Sequence, residues 1–253
     1  MTARINRAGG FTLLELVMAM AVGLVLLAAV WTAVWSGQRS STGIERKVTT
    51  NQDTRAILDM MAMEIRMASY NPTLEKSSTF WPNPADCSTG IQIYKGIPVA
   101  TDSAITVSMN LDGDNAAAGA GGKICGNNEG EIVSYAYDAA NARITRETIT
   151  CLSGTRTSTS GGPQTMLGPI AGAQTVRVIN GTLPMFRYYK ADGTRLNPDG
   201  TPMAAALIPD IRRIEIVLLV ESEAVDPSTG QKRQMAYSTS VIPRNHGINV
   251  NTK

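Results

Sequence analysis

The chain contains one histidine in 253 residues, and that scarcity narrows its chemistry first. His246 lies close to the C-terminus, where it reads as a solvent-exposed tail residue; a Ser-His-Asp triad or a histidine-built metal site would depend on it alone. Aromatic residues (5%) and charged residues (17%) are also few, and no basic stripe with interleaved aromatics occurs, so nucleic-acid binding is not indicated. Walker and Rossmann glycine patterns are missing; the Gly-rich stretch 118–122 lacks the lysine-hydroxyl ending of a phosphate loop. No internal repeat is visible. An enzyme is therefore not expected, and no cofactor is required. Proline is absent from Phe11 to Ser69, so nothing there forces a helix to break.

Cysteine is sparse too. Cys87, Cys125 and Cys151 allow one intramolecular disulfide at most. Cys125 precedes and Cys151 follows a predicted β-hairpin, so folding the hairpin would bring them near each other. Cys125–Cys151 is the expected pair, with the pairings to Cys87 as alternatives that geometry must decide.

What the chain does have is a single apolar run. It opens on Ala8-Gly9-Gly10-Phe11-Thr12-Leu13-Leu14-Glu15 and stays uncharged from Leu16 to Gln38. Leu16–Trp35 supplies the roughly 20 apolar residues a membrane helix needs. A secretory signal has a shorter apolar core and a cut after it. An ordinary membrane anchor explains the run but not Glu15, because an isolated acid costs about 2.5–3.5 kcal/mol at a bilayer centre and less near an interface. Arg4 and Arg7 on one side face Arg39, Arg46 and Lys47 on the other, so loop charge does not orient the span.

The pattern Gly-Phe-Thr-Leu-x-Glu at Gly10–Glu15 resembles the prepilin-type N-terminus of type IV pilins and type II secretion pseudopilins. The resemblance implies cleavage between Gly10 and Phe11 by a prepilin peptidase on the cytoplasmic face and methylation of the new Phe11 amino group. It also implies that Glu15 meets the Phe11 terminus of an adjacent subunit, a cation that would make a buried acid tolerable. Removing residues 1–10, which carry Arg4 and Arg7 and no acid, would take the net charge from +2 to zero.

Beyond Gln38 the chain turns polar, yet Leu58, Met61, Ala62, Ile65 and Ala68 recur at spacings of three and four, one apolar stripe of an amphipathic helix. Gly37 and Gly43 are candidate bends, and Asn71-Pro72 is the expected stop. Met60, Met63 and Met67 form a looser stripe that reads as flexible core filler, with a partner contact as the alternative. After Pro72 come short β runs: 91–94, 105–109, 131–137, 143–150, 175–179, 185–189, 212–220 and 235–242. Asp138-Ala139-Ala140-Asn141, Asp192-Gly193, Asp199-Gly200 and Asp226–Gly230 mark turns, and 116–122 and 153–162 read as surface loops. Trp81 reads as core, and Arg212-Arg213 as a solvated strand edge.

The expected fold class is α+β and pilin-like: a long N-terminal helix, transmembrane then amphipathic, packed on an antiparallel β head. The expected division is a leader at 1–10, a transmembrane and assembly helix at 11–38, an amphipathic half at 39–71, and a periplasmic head at 72–253. The helix end Ala56–Tyr70, closing on Glu64-Ile65-Arg66-Met67-Ala68-Ser69-Tyr70, and the closing strands at 211–218 and 238–245 are similar to the PilW family of minor type IV pilins, the latter also to J-type pseudopilins. That resemblance implies a single-pass inner-membrane subunit that joins other minor pilins, the major pilin and the inner-membrane assembly platform, and helps initiate the filament at its tip. A J-type pseudopilin, or a tip-exposed adhesin or DNA-uptake subunit, is the alternative. One metal site is a candidate: Asn110, Asp112 and Asp114 alternate like the first half of a calcium loop, but no glutamate closes it at position 121, and a solvated acidic turn is the competing reading.

Overall fold

A computed structural model describes residues 10–72, 81, 87, 95–111, 131–152, 155–170, 176–197, 203–226 and 229–247. One helix, α1, runs unbroken from Leu13 to Arg66, through Gly37 and Gly43. Its 54 residues span roughly 80 Å at 1.5 Å per residue. The stop comes before Asn71-Pro72. Met67 caps the helix, and Ser69 turns into the left-handed region at φ 65°.

Among the described residues ten antiparallel strands follow: β1 Val99–Ala100, β2 Ala104–Ser108, β3 Ile132–Asp138, β4 Arg143–Leu152, β5 Thr155–Ser158, β6 Gln164–Leu167, β7 Val176–Val178, β8 Phe186–Tyr189, β9 Arg213–Val225 and β10 Lys232–Val241. The first sheet is ordered β1-β2-β3-β4-β5, with β6 also on β4; the second is β10-β9-β7, with β8 also on β9. In each sheet one long strand forms the spine. β4 divides one edge between β5 and β6, and β9 divides one edge between β7 and β8.

The sheets are tied where short loops meet. Val178 N–H donates to Ala142 O, and Met185 N–H to Asp102 O, both at 2.8 Å. The turn at Asp138–Asn141 joins β3 to β4, with Asn141 N–H bonded to Asp138 Oδ1 at 3.1 Å. Asp226–Gly230 joins β9 to β10, its Gly230 N–H donating to Asp226 O at 2.8 Å.

Residues 153–162 were expected as a loop. Instead they contain β5, which pairs with the end of β4 while its Thr155, Arg156 and Thr157 stay exposed. A strand held by backbone pairing and the Arg156–Glu147 ion pair, with no apolar side chain, leaves no apolar alternation to read. The run at 91–94, the Gly-rich 116–122 and the turn at Asp199-Gly200 lie outside the described residues.

One core binds helix to both sheets. Leu58, Met61, Ala62, Ile65 and Ala68 pack with Ile105 and Val107 of the first sheet and Ile214, Ile216 and Leu218 of the second. On β10, Met235, Tyr237, Thr239 and Val241 face the helix side, opposite the buried Val220, Leu218, Ile216 and Ile214 of β9. The methionines do not act as one stripe: Met60 and Met67 are half-buried, Met67 against the core, and Met63 is exposed. Trp81 is buried, as expected.

The disulfide is Cys87–Cys151, with Cα atoms 5.2 Å apart, and not Cys125–Cys151. The hairpin register explains the correction. The last rung of the ladder, Ile132 opposite Ile149, is two residues from Cys151 but seven from Cys125 in sequence, and Cys151 itself pairs with Arg156 of β5. Cys125 itself lies outside the described residues. Cys87 and Cys151 share a small apolar pocket with Ile132 and Ile149. The bridge closes a sequence separation of 64, which removes about 4 kcal/mol of unfolded-chain entropy in the loop-closure model.

Candidate functional site

Two places on α1 carry chemistry, its foot and its joint with the head. At the foot, Thr12 is the N-cap. Its hydroxyl accepts from Glu15 N–H at 3.3 Å, while Glu15 Oε2 accepts from Thr12 N–H at 2.9 Å and from the Thr12 hydroxyl at 3.1 Å. This is a reciprocal capping box, and it satisfies donors that a helix start would otherwise leave bare. Both bonds from Thr12 fall on one carboxylate oxygen; Oε1 accepts none among the described residues. Phe11 is 90% exposed beside it. The capping role of Glu15 was readable as Thr-x-x-Glu in the sequence, but the motif's larger resemblance had absorbed it.

From this foot the helix presents bare apolar surface. Leu13–Thr42 is long and apolar enough to cross a bilayer, and none of it is buried by the rest of the chain. Among the helix residues whose side chains are described, Thr50 is the first that is buried, and burial continues from there to the helix end.

The joint begins at Glu64, on the same stripe as Met61 and Ile65. Cross-strand pairing sets Tyr135 of β3 opposite Arg146 of β4, and both side chains reach the helix. Arg146 clamps Glu64 with two bonds, Nε to Oε2 at 3.2 Å and Nη2 to Oε1 at 2.7 Å. Tyr135 donates its hydroxyl to Glu64 Oε2 at 2.5 Å. Burial and then the Glu64 bond push the Tyr135 hydroxyl's pKa well up, so it remains a donor. The bond to Glu64 likewise raises Arg146.

The second half of the joint overturns the reading of His246 as a surface residue: it is fully buried. Nε2 lies 2.8 Å from Ile208 O, a pure acceptor, so Nε2 carries the proton. Nδ1 then accepts from the Ser69 hydroxyl at 3.0 Å, and Ser69 Oγ accepts from Gly96 N–H at 2.9 Å. One side chain thus links the C-terminal tail, the helix end, the approach to β1 and the 3₁₀ turn at Ala205–Asp210. Ser69 occupies a left-handed position that glycine usually fills. That conformation costs about 1 kcal/mol, which its two hydroxyl bonds at about 1 kcal/mol each offset; glycine could make neither.

Burial lowers the His246 pKa to about 4, against the bond to Ile208 O, and the Lys95 and Arg212 charges push it the same way as burial. Lys95 Nζ donates to His246 O at 3.3 Å, and burial followed by Arg212 lowers its own pKa. An unfolded imidazole titrates near 6.5. The stability conferred by the neutral ring is therefore complete above about pH 6.5 and drains away as pH falls toward 4, a loss of about 3 kcal/mol. Urea unfolding of the full chain in detergent at pH 7 and pH 4.5 checks this: His246→Asn is expected to remove most of the drop that exceeds ordinary carboxylate titration. An equal drop in both proteins would contradict it.

The remaining candidates do not converge on a site. Arg213 lies on the spine of the second sheet and not on an edge, with its guanidinium 3.8 Å from the centroid of the Tyr189 ring. Arg212 turns back on the 3₁₀ segment, donating to Pro209 O at 2.6 Å and Ile211 O at 2.9 Å. Asp112 and Asp114 lie outside the described residues. Asn110 is buried, its N–H bonded to Tyr70 O at 2.8 Å. Among the described residues no group of three or more metal-type side chains gathers.

Residues 5–31 match the prokaryotic N-terminal methylation motif, a stretch that holds Gly10, Phe11, Glu15 and most of the apolar run. A solved type IV-like pilin from Thermus thermophilus aligns with 77% of this chain and 97% of its own, at 13% identity and a TM-score of 0.40. No curated protein matches the chain. The motif match and the bare apolar helix together support membrane anchoring through the N-terminal region.

Proposed function

We propose that the chain is a structural assembly subunit, a minor pilin of the PilW kind, made as a prepilin and inserted into a type IV pilus. In this reading residues 1–10 form the cytoplasmic leader, a prepilin peptidase cuts before Phe11, and the new amino group is methylated. Residues 11–38 hold the subunit in the inner membrane, 39–71 carry the helix onto the head, and 72–253 form a periplasmic head that docks other minor pilins. With them, and with the assembly platform, it initiates a filament of the major pilin at the tip.

The carrying observation is the foot of the helix. A methylation-motif match, an exposed Phe11 and a carboxylate with one oxygen that accepts no bond among the described residues coincide at the start of an apolar surface that those residues leave uncovered. An apolar helix without a partner in its own chain has two comfortable environments, lipid and other helices. The free oxygen of Glu15 suits the ammonium of a neighbouring Phe11.

Glu15→Ala is expected to leave leader cleavage largely intact by immunoblot while cutting filament number about tenfold by electron microscopy, the effect of losing about 1.4 kcal/mol of contact. Glu15→Gln keeps the cap and loses only the charge, so it should resemble Ala if the counter-ion matters. Wild-type piliation in Glu15→Ala would end this reading.

A further inference from the structure

The far end of the apolar run carries an arrangement that the assembly reading does not use. Trp31 and Trp35 stand one turn apart on the same face, stacked with ring centroids 6.4 Å apart. Arg39, one turn further, lies 5.2 Å from the Trp35 ring centroid. Both indoles are solvent-facing in the chain alone, whereas the third tryptophan, Trp81, is buried in the head. After Trp35 comes Ser36-Gly37-Gln38-Arg39-Ser40-Ser41-Thr42-Gly43, with no apolar side chain until Ile44.

The spacing is informative. Glu15 and Trp35 are twenty residues apart on one unbroken helix, or roughly 30 Å, which is the thickness of a bilayer's hydrocarbon core. With the Thr12–Glu15 box at one boundary, Trp35 falls at the other. Indoles favour that boundary because one edge is apolar and the N–H wants water or a carbonyl. A guanidinium beyond them reaches outward to phosphate and covers the outer ring face on the way.

We infer that Trp31, Trp35 and Arg39 form an interfacial anchor that fixes the depth of the helix in a phospholipid bilayer, with the indoles at the acyl–headgroup boundary and Arg39 on lipid phosphate. This rests on the reading of α1 as a membrane span and adds its register. Arg39 to Thr50 then makes a stretch of helix roughly 16 Å long between the lipid surface and Thr50, the first buried side chain among the described residues. The anchor also sets where Glu15 waits, at the opposite boundary, and so the distance the subunit must be lifted to leave the membrane.

The test is depth-dependent fluorescence quenching. The full chain with Trp81→Phe is reconstituted in phosphatidylcholine vesicles carrying bromine either high or deep on the acyl chains. Single reporters are made by adding Trp31→Phe or Trp35→Phe. Shallow bromine should quench Trp35 about twofold more than deep bromine, and Trp31 should report a position about 6 Å deeper, one turn of helix. Arg39→Leu should let both indoles move inward. Stronger quenching by deep bromine, or no shift in Arg39→Leu, would overturn the anchor while leaving the span intact. Indoles that neither position quenches would overturn the span itself, and the anchor with it.

Discussion

Gly96→Ala is expected to destabilise the head by roughly 4 kcal/mol or more, enough to prevent accumulation of a folded subunit. A Cβ at position 96 would lie 2.2 Å from Ser69 N, 2.4 Å from Ser108 O and 2.5 Å from Ser69 Cα. All three are backbone atoms, so no rotamer change relieves the clash. The same atoms carry the joint: Ser69 N–H donates to Ser108 O at 2.9 Å, Ser108 N–H to Gly96 O at 2.8 Å, and Gly96 N–H to the Ser69 hydroxyl at 2.9 Å. Displacing Gly96 therefore strains the end of the helix, the start of the first sheet and the His246 contact together. Gly247→Ala is the control, since the nearest atoms its Cβ would meet belong to the flexible Arg212 side chain, at 3.3 Å and beyond. Thermal unfolding of the two full-length variants in detergent separates the outcomes. Similar melting temperatures for both would contradict the close-approach argument.

The second large effect belongs to Glu64. Glu64→Ala would leave the Arg146 guanidinium and the Tyr135 hydroxyl without their acceptor in a largely buried place. Removing one partner of such a pair costs about 3–5 kcal/mol, more than the intact pair contributes. Glu64→Gln keeps an acceptor for Tyr135 but gives up the charge, so its cost should be about half. Denaturant midpoints for the two variants and for Arg146→Met are the measurement. If the interaction is a unit, Glu64→Ala combined with Arg146→Met is less destabilising than the single costs added. Additive losses would show that the two side chains act separately.

Glu64, Ser69 and Gly96 also mark the limit of what the sequence discloses. The helix was legible from its spacing because Leu58, Met61, Ala62, Ile65 and Ala68 repeat with helical period, and burial follows that period. The spine strands were legible for a similar reason: β9 alternates, with Ile214, Ile216, Leu218 and Val220 inward. β5 was not, since a polar edge strand is defined by backbone pairing. The joint was hidden in another way. Ser69, Gly96 and His246 are brought together from three distant parts of the chain, and none has a neighbour in sequence that signals the others. The lone histidine has no apolar pattern around it in sequence to signal its burial. The disulfide failed on register, because adjacency across a hairpin requires the right rung of the ladder as well as the right turn. By contrast the foot of the helix is almost wholly local. Thr12 and Glu15 are three residues apart, so their pattern survives in the sequence without any fold to assemble it.

If the helix foot is a processed terminus prepared for a neighbour, the mass of the N-terminal peptide of the chain recovered from membranes will show it. The expected peptide begins at Phe11, bears one added methyl on its amino group, and reverts to the full leader in cells lacking the peptidase. A peptide that still carries residues 1–10 in cells with an active peptidase would contradict it.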